Sequence, residues 1–349
     1  MNKESIKAIS LFCGCGGADL GLIGGFNYLD NYYKHNPVEI VHASDIDPKA
    51  INTYNRNFSH KASVDDIRDL CFKEVDADLV IGGFPCQNFS TVNPTKKPED
   101  RKNQLFWELA RVVEETKPKV FIGENVRGFY TLKGGLYFHL AKDRFEELGY
   151  KVFHKLVDVS LHGIPQKRKR IFMVGVREDL NIENFQFPIE THGVEGMPSA
   201  VPLKSVIDSL IPDDPKYYFS KRAVEGVKRA KPNMKRAVYQ NLEEPCLTIT
   251  SHLAKVSLNS RDPVLLVNEK KELYRRFSPL EAARIQSFPD NFKFVGSQGD
   301  AYRQIGNAIP PVYFWKLINS INEQVFDAPY KQAQNIMKRA LEPNSYPLL

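Results

Sequence analysis

Between residues 6 and about 177 the chain alternates short apolar β-type runs with amphipathic helical patterns, and this alternation restricts the possible architectures more than any other feature. The runs IKAISLF, EIVHASDI, ADLVIGGF, KVFIGENV, YKVFHKLVDVS and RIFMVGVR read as strands. Helical patterns lie between them: ADLGLIGGF, PKAINTYNRNF, NQLFWELARVVEETK and GGLYFHLAKDRFEELG. In the third, Leu105, Phe106, Leu109, Val112 and Val113 fall on one stripe of a 3.6-residue period. Strands apolar on both faces, with helices between them, predict an α/β fold with a doubly wound, mostly parallel sheet.

From about 185 to 275 the alternation stops, and proline-punctuated, partly basic segments replace it. The expected layout is a first domain over 1–185, a smaller irregular domain over 186–275, a hinge and return helix over 276–302, and a segment over 303–349 packing back on the first domain. Ser278, Pro279 and Glu281 form a helix-start signature at the return. The segment PPVYFWKLINSINEQVF predicts a further amphipathic helix.

The 349 residues suffice for a large core without crosslinks. Five cysteines in an odd, unrepeated arrangement argue against a disulfide framework and a structural zinc site, so no metal is expected. The N-terminus lacks the long apolar stretch of a signal peptide, and no run is long enough to cross a bilayer. A reduced, cytoplasmic protein is expected. The formal net charge is +6, with cations concentrated in KRKR at 167–170 and KRAVEGVKRAKPNMKR at 221–236. Each stretch, taken alone, reads more readily as a solvated helix face than as a nucleic-acid surface.

Two places carry chemistry. The turn FCGCGGADLG follows the first strand, where bare backbone and a helix start suit a nucleotide ligand; Asp45, ending the second strand, suits ribose hydroxyls. These features point to an adenosine-containing cofactor but serve NAD and S-adenosylmethionine equally. At the other place, GGFPCQNFS sets Cys86 just past a buried strand, at the end of the sheet where doubly wound folds bind ligands. GENV closes the neighbouring strand with Glu124.

LFCGCGG, GGFPCQNFS, GENV, IPQKRKRIFMVG and AYRQIGNAIPP, in this order and spacing, resemble the motifs of the DNA (cytosine-5) methyltransferases, in particular the compact bacterial enzymes of restriction-modification systems. The resemblance spans almost the whole chain except about 190–270. It implies a Rossmann-like S-adenosylmethionine-dependent methyltransferase domain followed by a variable target-recognition domain. It also implies double-stranded DNA as substrate and a restriction endonuclease as functional partner; a monomer is the default expectation.

The resemblance implies that Cys86 is the nucleophile, Glu124 the proton donor, and Arg170 the group that binds the base carbonyl. Arg168 would support the loop and a nearby phosphate. The cofactor would contact Phe12, Gly14, Gly16, Gly17, Asp45, Ile46, Asp66, Ile67, Pro85, Leu105, Asn307 and Ala308. DNA would meet Gln87, Ser90, Lys96, Lys97, Arg101, Thr248 and Ile249. An RNA-methylating branch of the same family stays open as an alternative, as does, more remotely, an NAD-dependent oxidoreductase. The chain departs from the family pattern at Ser10, where aspartate is common, at Asn103, where glycine often stands, and at Ala308, where serine occurs. None of the three removes a bond-making group.

Overall fold

The structure is a computed structural model that describes residues 5–84, 105–207, 214–230, 239–253 and 263–327. The first half contains β1 (Ile6–Leu11), α1 (Gly17–Ile23), β2 (Phe26–Tyr28), β3 (Asn31–Tyr33), β4 (Val38–Asp45), α2 (Pro48–Asn57), β5 (Ser63–Val64), β6 (Leu79–Gly82), α3 (Phe106–Thr116) and β7 (Val120–Val126). Next come α4 (Arg127–Thr131), α5 (Leu136–Glu147), β8 (Tyr150–Asp158), β9 (Gln166–Lys167) and β10 (Lys169–Arg177). The remainder holds α6 (Lys221–Ala230), β11 (Cys246–Leu247), β12 (Leu265–Asn268), β13 (Leu273–Arg275), α7 (Pro279–Ile285), α8 (Gln298–Asn307) and α9 (Pro311–Ile321).

Seven strands form the central sheet in the order β5-β4-β1-β6-β7-β10-β8. The five from β5 to β7 run parallel, and β10 lies antiparallel to both β7 and β8. Side chains alternate across the sheet as the strand period requires. On one face Ala8, Ile81, Ile122, Phe172 and Val174 join a core shared with α1 and α9; on the other Ile9, Val80, Phe121, Ile171 and Met173 pack against α3 and α5. Both faces are covered, which is why the strands read as continuous apolar runs.

The pattern ADLGLIGGF predicts a helix through Phe26, but α1 stops at Ile23. Gly24 and Gly25 take positive φ (72° and 80°), and Phe26 enters the β2–β3 hairpin instead. Gly24, at ψ −156°, leaves the helical region altogether while its N–H still caps the Leu20 carbonyl, a conformation open to glycine because it has no Cβ. Gly21 has a packing role. A Cβ there would lie 2.4 Å from the Pro311 carbonyl oxygen, so only a bare backbone lets α1 and α9 approach this closely.

Helix α7 begins as its sequence predicts: Ser278 and Glu281 form a reciprocal capping box with Pro279 in the first turn. Glu281 is also held by Arg275 in a fully buried bidentate pair, both contacts at 2.7 Å. That pair ties the end of β13 to the start of the return helices.

Candidate active site

The candidate catalytic end lies where β6 and β7 end beside the start of β10. Parallel pairing sets Gly82 opposite Gly123, and antiparallel pairing sets Phe172 opposite Glu124 and Arg170 opposite Val126. Glu124 and Arg170 thereby project from neighbouring strands and form an ion pair, Nε to Oε1 3.2 Å, with side chains only 12% and 14% exposed. Burial raises the Glu124 carboxyl above the usual carboxylate range, against the opposing pull of Arg170 and, behind it, Arg168.

Asn125, beside Glu124, fixes the chain leading to the cysteine. Its Nδ2 donates 3.0 Å to the Phe84 carbonyl, and its Oδ1 accepts from Val126 N at 2.8 Å. Cys86 follows Phe84 by two residues. Pro85, Cys86, Gln87, Ser90, Lys96, Lys97 and Arg101 lie outside the described residues.

At the cofactor end, Gly14 N donates 2.9 Å to Asp45 Oδ2, and Asp47 N donates 2.8 Å to Asp45 Oδ1. Asp45 thus draws the glycine turn and the start of α2 around one carboxylate. Phe12, at φ 55°, packs on the same apolar cluster as Ile67 and Leu105. Gly17 lies against Ala308 and Ile309, which brings the C-terminal GNA segment beside the turn. Asn307 is exposed and Ala308 buried. Asp66 is held by Arg68, whose guanidinium keeps its carboxyl low, at about 2. Ile46 is 65% exposed just beyond β4.

Two of the expected contacts need correction. Arg168 is 2% exposed and reaches no solvent-facing phosphate position. Its Nη1 donates to Ile249 O at 3.0 Å, and its Nη2 to Gly306 O and Ala308 O, each at 3.1 Å. Ile249 is fully buried and cannot read DNA from there; its N–H is taken by Gln166 Oε1 at 2.9 Å. Thr248, one residue earlier, stays near the surface with its hydroxyl donating to Lys167 O at 2.8 Å. The physical reason is a shared joint: β11 pairs with β9, so the segment carrying Thr248 and Ile249 is fixed by the backbone of Gln166–Lys167, directly before Arg168.

The sequence reading missed the rest of that joint. Gln286 Nε2 donates to Ile305 O and Ala308 O, and Gln166 Nε2 donates to Gln286 and to Ile285 O. Asn125 was also missed, though its place in GENV beside Glu124 was a usable signal.

A mostly parallel seven-stranded sheet with helices on both faces matches the fold of S-adenosylmethionine-dependent methyltransferases. Residues 6–325 match the family model of the C-5 cytosine-specific DNA methylases. Similar curated proteins include Type II methyltransferase M.FnuDI of Fusobacterium nucleatum, 32% identical over 92% of this chain and 96% of that protein. Another is Type II methyltransferase M.HhaI of Haemophilus parahaemolyticus, 31% identical over 87% and 90%. Among solved structures, the Schizosaccharomyces pombe Dnmt2 methyltransferase superposes with a TM-score of 0.70 at 20% identity, covering 92% of this chain and 99% of that one. A putative DNA modification methyltransferase from an Escherichia coli prophage gives 0.66 at 22%, covering 92% and 100%. The chain belongs to the C-5 cytosine-specific DNA methylases, and it is an enzyme that methylates carbon 5 of cytosine in DNA. Neither an oxidoreductase nor an RNA methylase is favoured. No helix among the described residues is long and apolar enough to cross a membrane.

Proposed function

We propose that the chain methylates one cytosine within a specific duplex sequence, after that base is turned out of the stack, and acts as a monomer in the cytoplasm. Its curated relatives are Type II methyltransferases, which supports a protective role beside a restriction endonuclease. A base inside a duplex is inaccessible to side chains acting on its ring atoms, so extrusion is part of the proposal.

The observation that carries the reading is the Glu124–Arg170 pair, desolvated and adjacent to the Phe84 carbonyl that Asn125 holds two residues before Cys86. In the proposed reaction the Cys86 thiolate adds to carbon 6, which makes carbon 5 nucleophilic as charge moves toward ring nitrogen 3. Glu124, its carboxyl raised by burial, holds the proton needed at that nitrogen. Arg170 donates to the base carbonyl oxygen and offsets the developing charge. Once carbon 5 carries the methyl group, its proton passes to water, the electron pair of that carbon–hydrogen bond re-forms the ring double bond as the carbon–sulfur bond breaks, the thiolate leaves, and the proton at ring nitrogen 3 returns to Glu124.

The residues present fit S-adenosylmethionine. Asp45 suits its ribose; Ile46, Ile67, Leu105 and Phe12 offer apolar surface; the Gly14–Gly17 backbone, with Asn307 and Ala308 alongside, offers close approach. When bound, the cofactor supplies an electrophilic methyl group. Gln87, Ser90, Lys96, Lys97, Arg101 and Thr248 are assigned to DNA, with the cations of 221–236 giving salt-dependent, sequence-independent affinity.

Duplex DNA carrying 5-fluorocytosine at the target tests the nucleophile, since fluorine cannot leave as a cation. The wild-type protein is expected to form a trapped covalent complex in the presence of cofactor. Cys86→Ser should form none and lose methyl transfer while keeping cofactor affinity; substantial turnover by that variant would refute the assignment.

A further inference from the structure

The glycine turn after β1 is closed by a bond between its own two stems. Ser10 Oγ, on β1, donates 3.0 Å to Asp19 Oδ2, on α1. The other oxygen, Oδ1, accepts from the Tyr54 hydroxyl of α2 at 2.9 Å, and that hydroxyl lies 2.6 Å from His60 Nε2. Asp19 is completely buried, and His60 is half-buried at the outer end of the chain of bonds. Tyr54 also forms the floor of the turn. Gly16 has φ 92°, and a Cβ there would lie 2.3 Å from Phe58 Cε2 and 3.0 Å from Tyr54 Cδ2.

The proton inventory of this chain allows two settings. A tyrosine hydroxyl has one proton to give. When Tyr54 gives it to an ionised Asp19, His60 Nε2 must be the donor toward Tyr54. When Tyr54 gives it to His60, Asp19 must carry a proton of its own. The ionised carboxylate accepts from both Ser10 and Tyr54 and ties the two stems to α2. A protonated Asp19 must donate into one of those two contacts, so one hydroxyl has to turn round.

Burial brings the two settings close in energy near neutral pH. It pushes the Asp19 carboxyl up to about 6, although the bonds from Ser10 and Tyr54 pull the other way. Cys13 and Cys15 face Asp19 from the turn, with Asp45 of β4 acting on both thiols; burial holds Cys13 well above its ordinary range and Cys15 at about 12, so both stay neutral. Burial, with help from Lys61, lowers His60, and burial raises Tyr54.

We propose that Asp19 is a positioning residue for cofactor binding, and that the Ser10–Asp19–Tyr54–His60 chain couples one proton to it, the turn accepting the cationic cofactor with Asp19 ionised. The proposal rests on the reading of Phe12–Gly17 as the cofactor turn. S-adenosylmethionine carries a sulfonium charge that its thioether product lacks, so a buried carboxylate behind the turn favours substrate over product. Ser10 acquires a role here. Its hydroxyl meets a carboxylate supplied by the opposite stem.

Calorimetric titration of the full-length protein with S-adenosylmethionine and with S-adenosylhomocysteine, from pH 5 to 8, tests this. Wild-type affinity for the substrate is expected to rise with pH, by at most roughly tenfold per unit below the Asp19 midpoint, and then to level off. The rise should be smaller for the product. Asp19→Asn should bind more weakly at pH 7.5 and show a flat profile. Ser10→Ala removes a bond that favours the ionised form, so its midpoint should move to higher pH; it serves as the readout if Asp19→Asn does not fold. A flat wild-type profile, an unchanged slope in Asp19→Asn, or an unmoved midpoint in Ser10→Ala would overturn the proposal. Asp45→Ala separates the two layers: if it abolishes cofactor binding while the Asp19 and Ser10 variants keep wild-type pH slopes, only the proton coupling falls. If Asp45→Ala binds as the wild type does, the turn itself is misassigned and the coupling falls with it.

Discussion

Replacing Arg170 by methionine separates the two forces acting on Glu124. The guanidinium Nε and the carboxylate Oε1 lie 3.2 Å apart, both side chains nearly desolvated. At an effective dielectric constant near 20, unit charges at that separation attract by about 5 kcal/mol, a ceiling of roughly 4 pH units on the shift Arg170 can impose. Carboxylates beside an arginine usually move by about 1–3 units. Burial nevertheless dominates, since the Glu124 carboxyl sits above its ordinary range even with Arg170 in place. Removing Arg170 leaves the burial and deletes the main opposing force, so the carboxyl should rise by a further ~1–3 units.

The sign for activity follows from the role. An acid that must be protonated works below its pKa and fails as pH rises through it. With Glu124 in its proposed role, the alkaline limb of kcat should therefore move to higher pH in Arg170→Met, while the plateau falls with loss of the proposed contact to the base carbonyl. Carbon-13 NMR of glutamate-labelled protein, with Glu124→Gln identifying the resonance, reads the same titration without turnover. An Arg170→Met midpoint equal to or below the wild-type value would refute the argument, because the arginine would then not be what holds the carboxyl down.

The other predictions concern the frame. Arg275→Met strands the Glu281 carboxylate in a site where both partners are essentially buried, and it should cost about 3–5 kcal/mol. With ~2.1 cal/mol/K of unfolding entropy per residue over 349 residues, that is a fall in Tm of ~4–7 °C by calorimetry. Arg275→Met combined with Glu281→Leu should recover most of the loss; additive effects would mean the two side chains are not coupled. Ile249→Ala should destabilise by about 2–5 kcal/mol, as for other fully buried aliphatic side chains, and leave the methylated sequence, read by bisulfite sequencing, unchanged. A changed sequence preference would return Ile249 to the DNA surface.

Much of the fold could be read in the chain because the physics behind it is local. Strand cores such as LVIG at 79–82 and VFIG at 120–123 are apolar at every position since both faces of the sheet are covered, and the Ser278–Glu281 capping box depends on residues three apart. Apolar periodicity continues through Leu22 and Phe26 and so overruns the end of α1, which the positive φ of Gly24 and Gly25 decides. Ile249 is a different case. Its apolar side chain already favours burial over that of Thr248, and the pairing of β11 with β9 and the bonds from Gln166 and Arg168 hold it inside.

By itself the sequence determined the alternating architecture, the order of the motifs, and the residue types able to add to, protonate and hold a pyrimidine. Those properties follow from side-chain chemistry and from periods of a few residues. Only the tertiary structure decided that Glu124 meets Arg170, that Arg168 spends its charge on three backbone carbonyls, and that Asp19 closes the glycine turn through Ser10 and Tyr54. Each of these depends on strands and helices distant in sequence arriving in one register, and on burial, which sets how strongly a charge is felt once water has been removed.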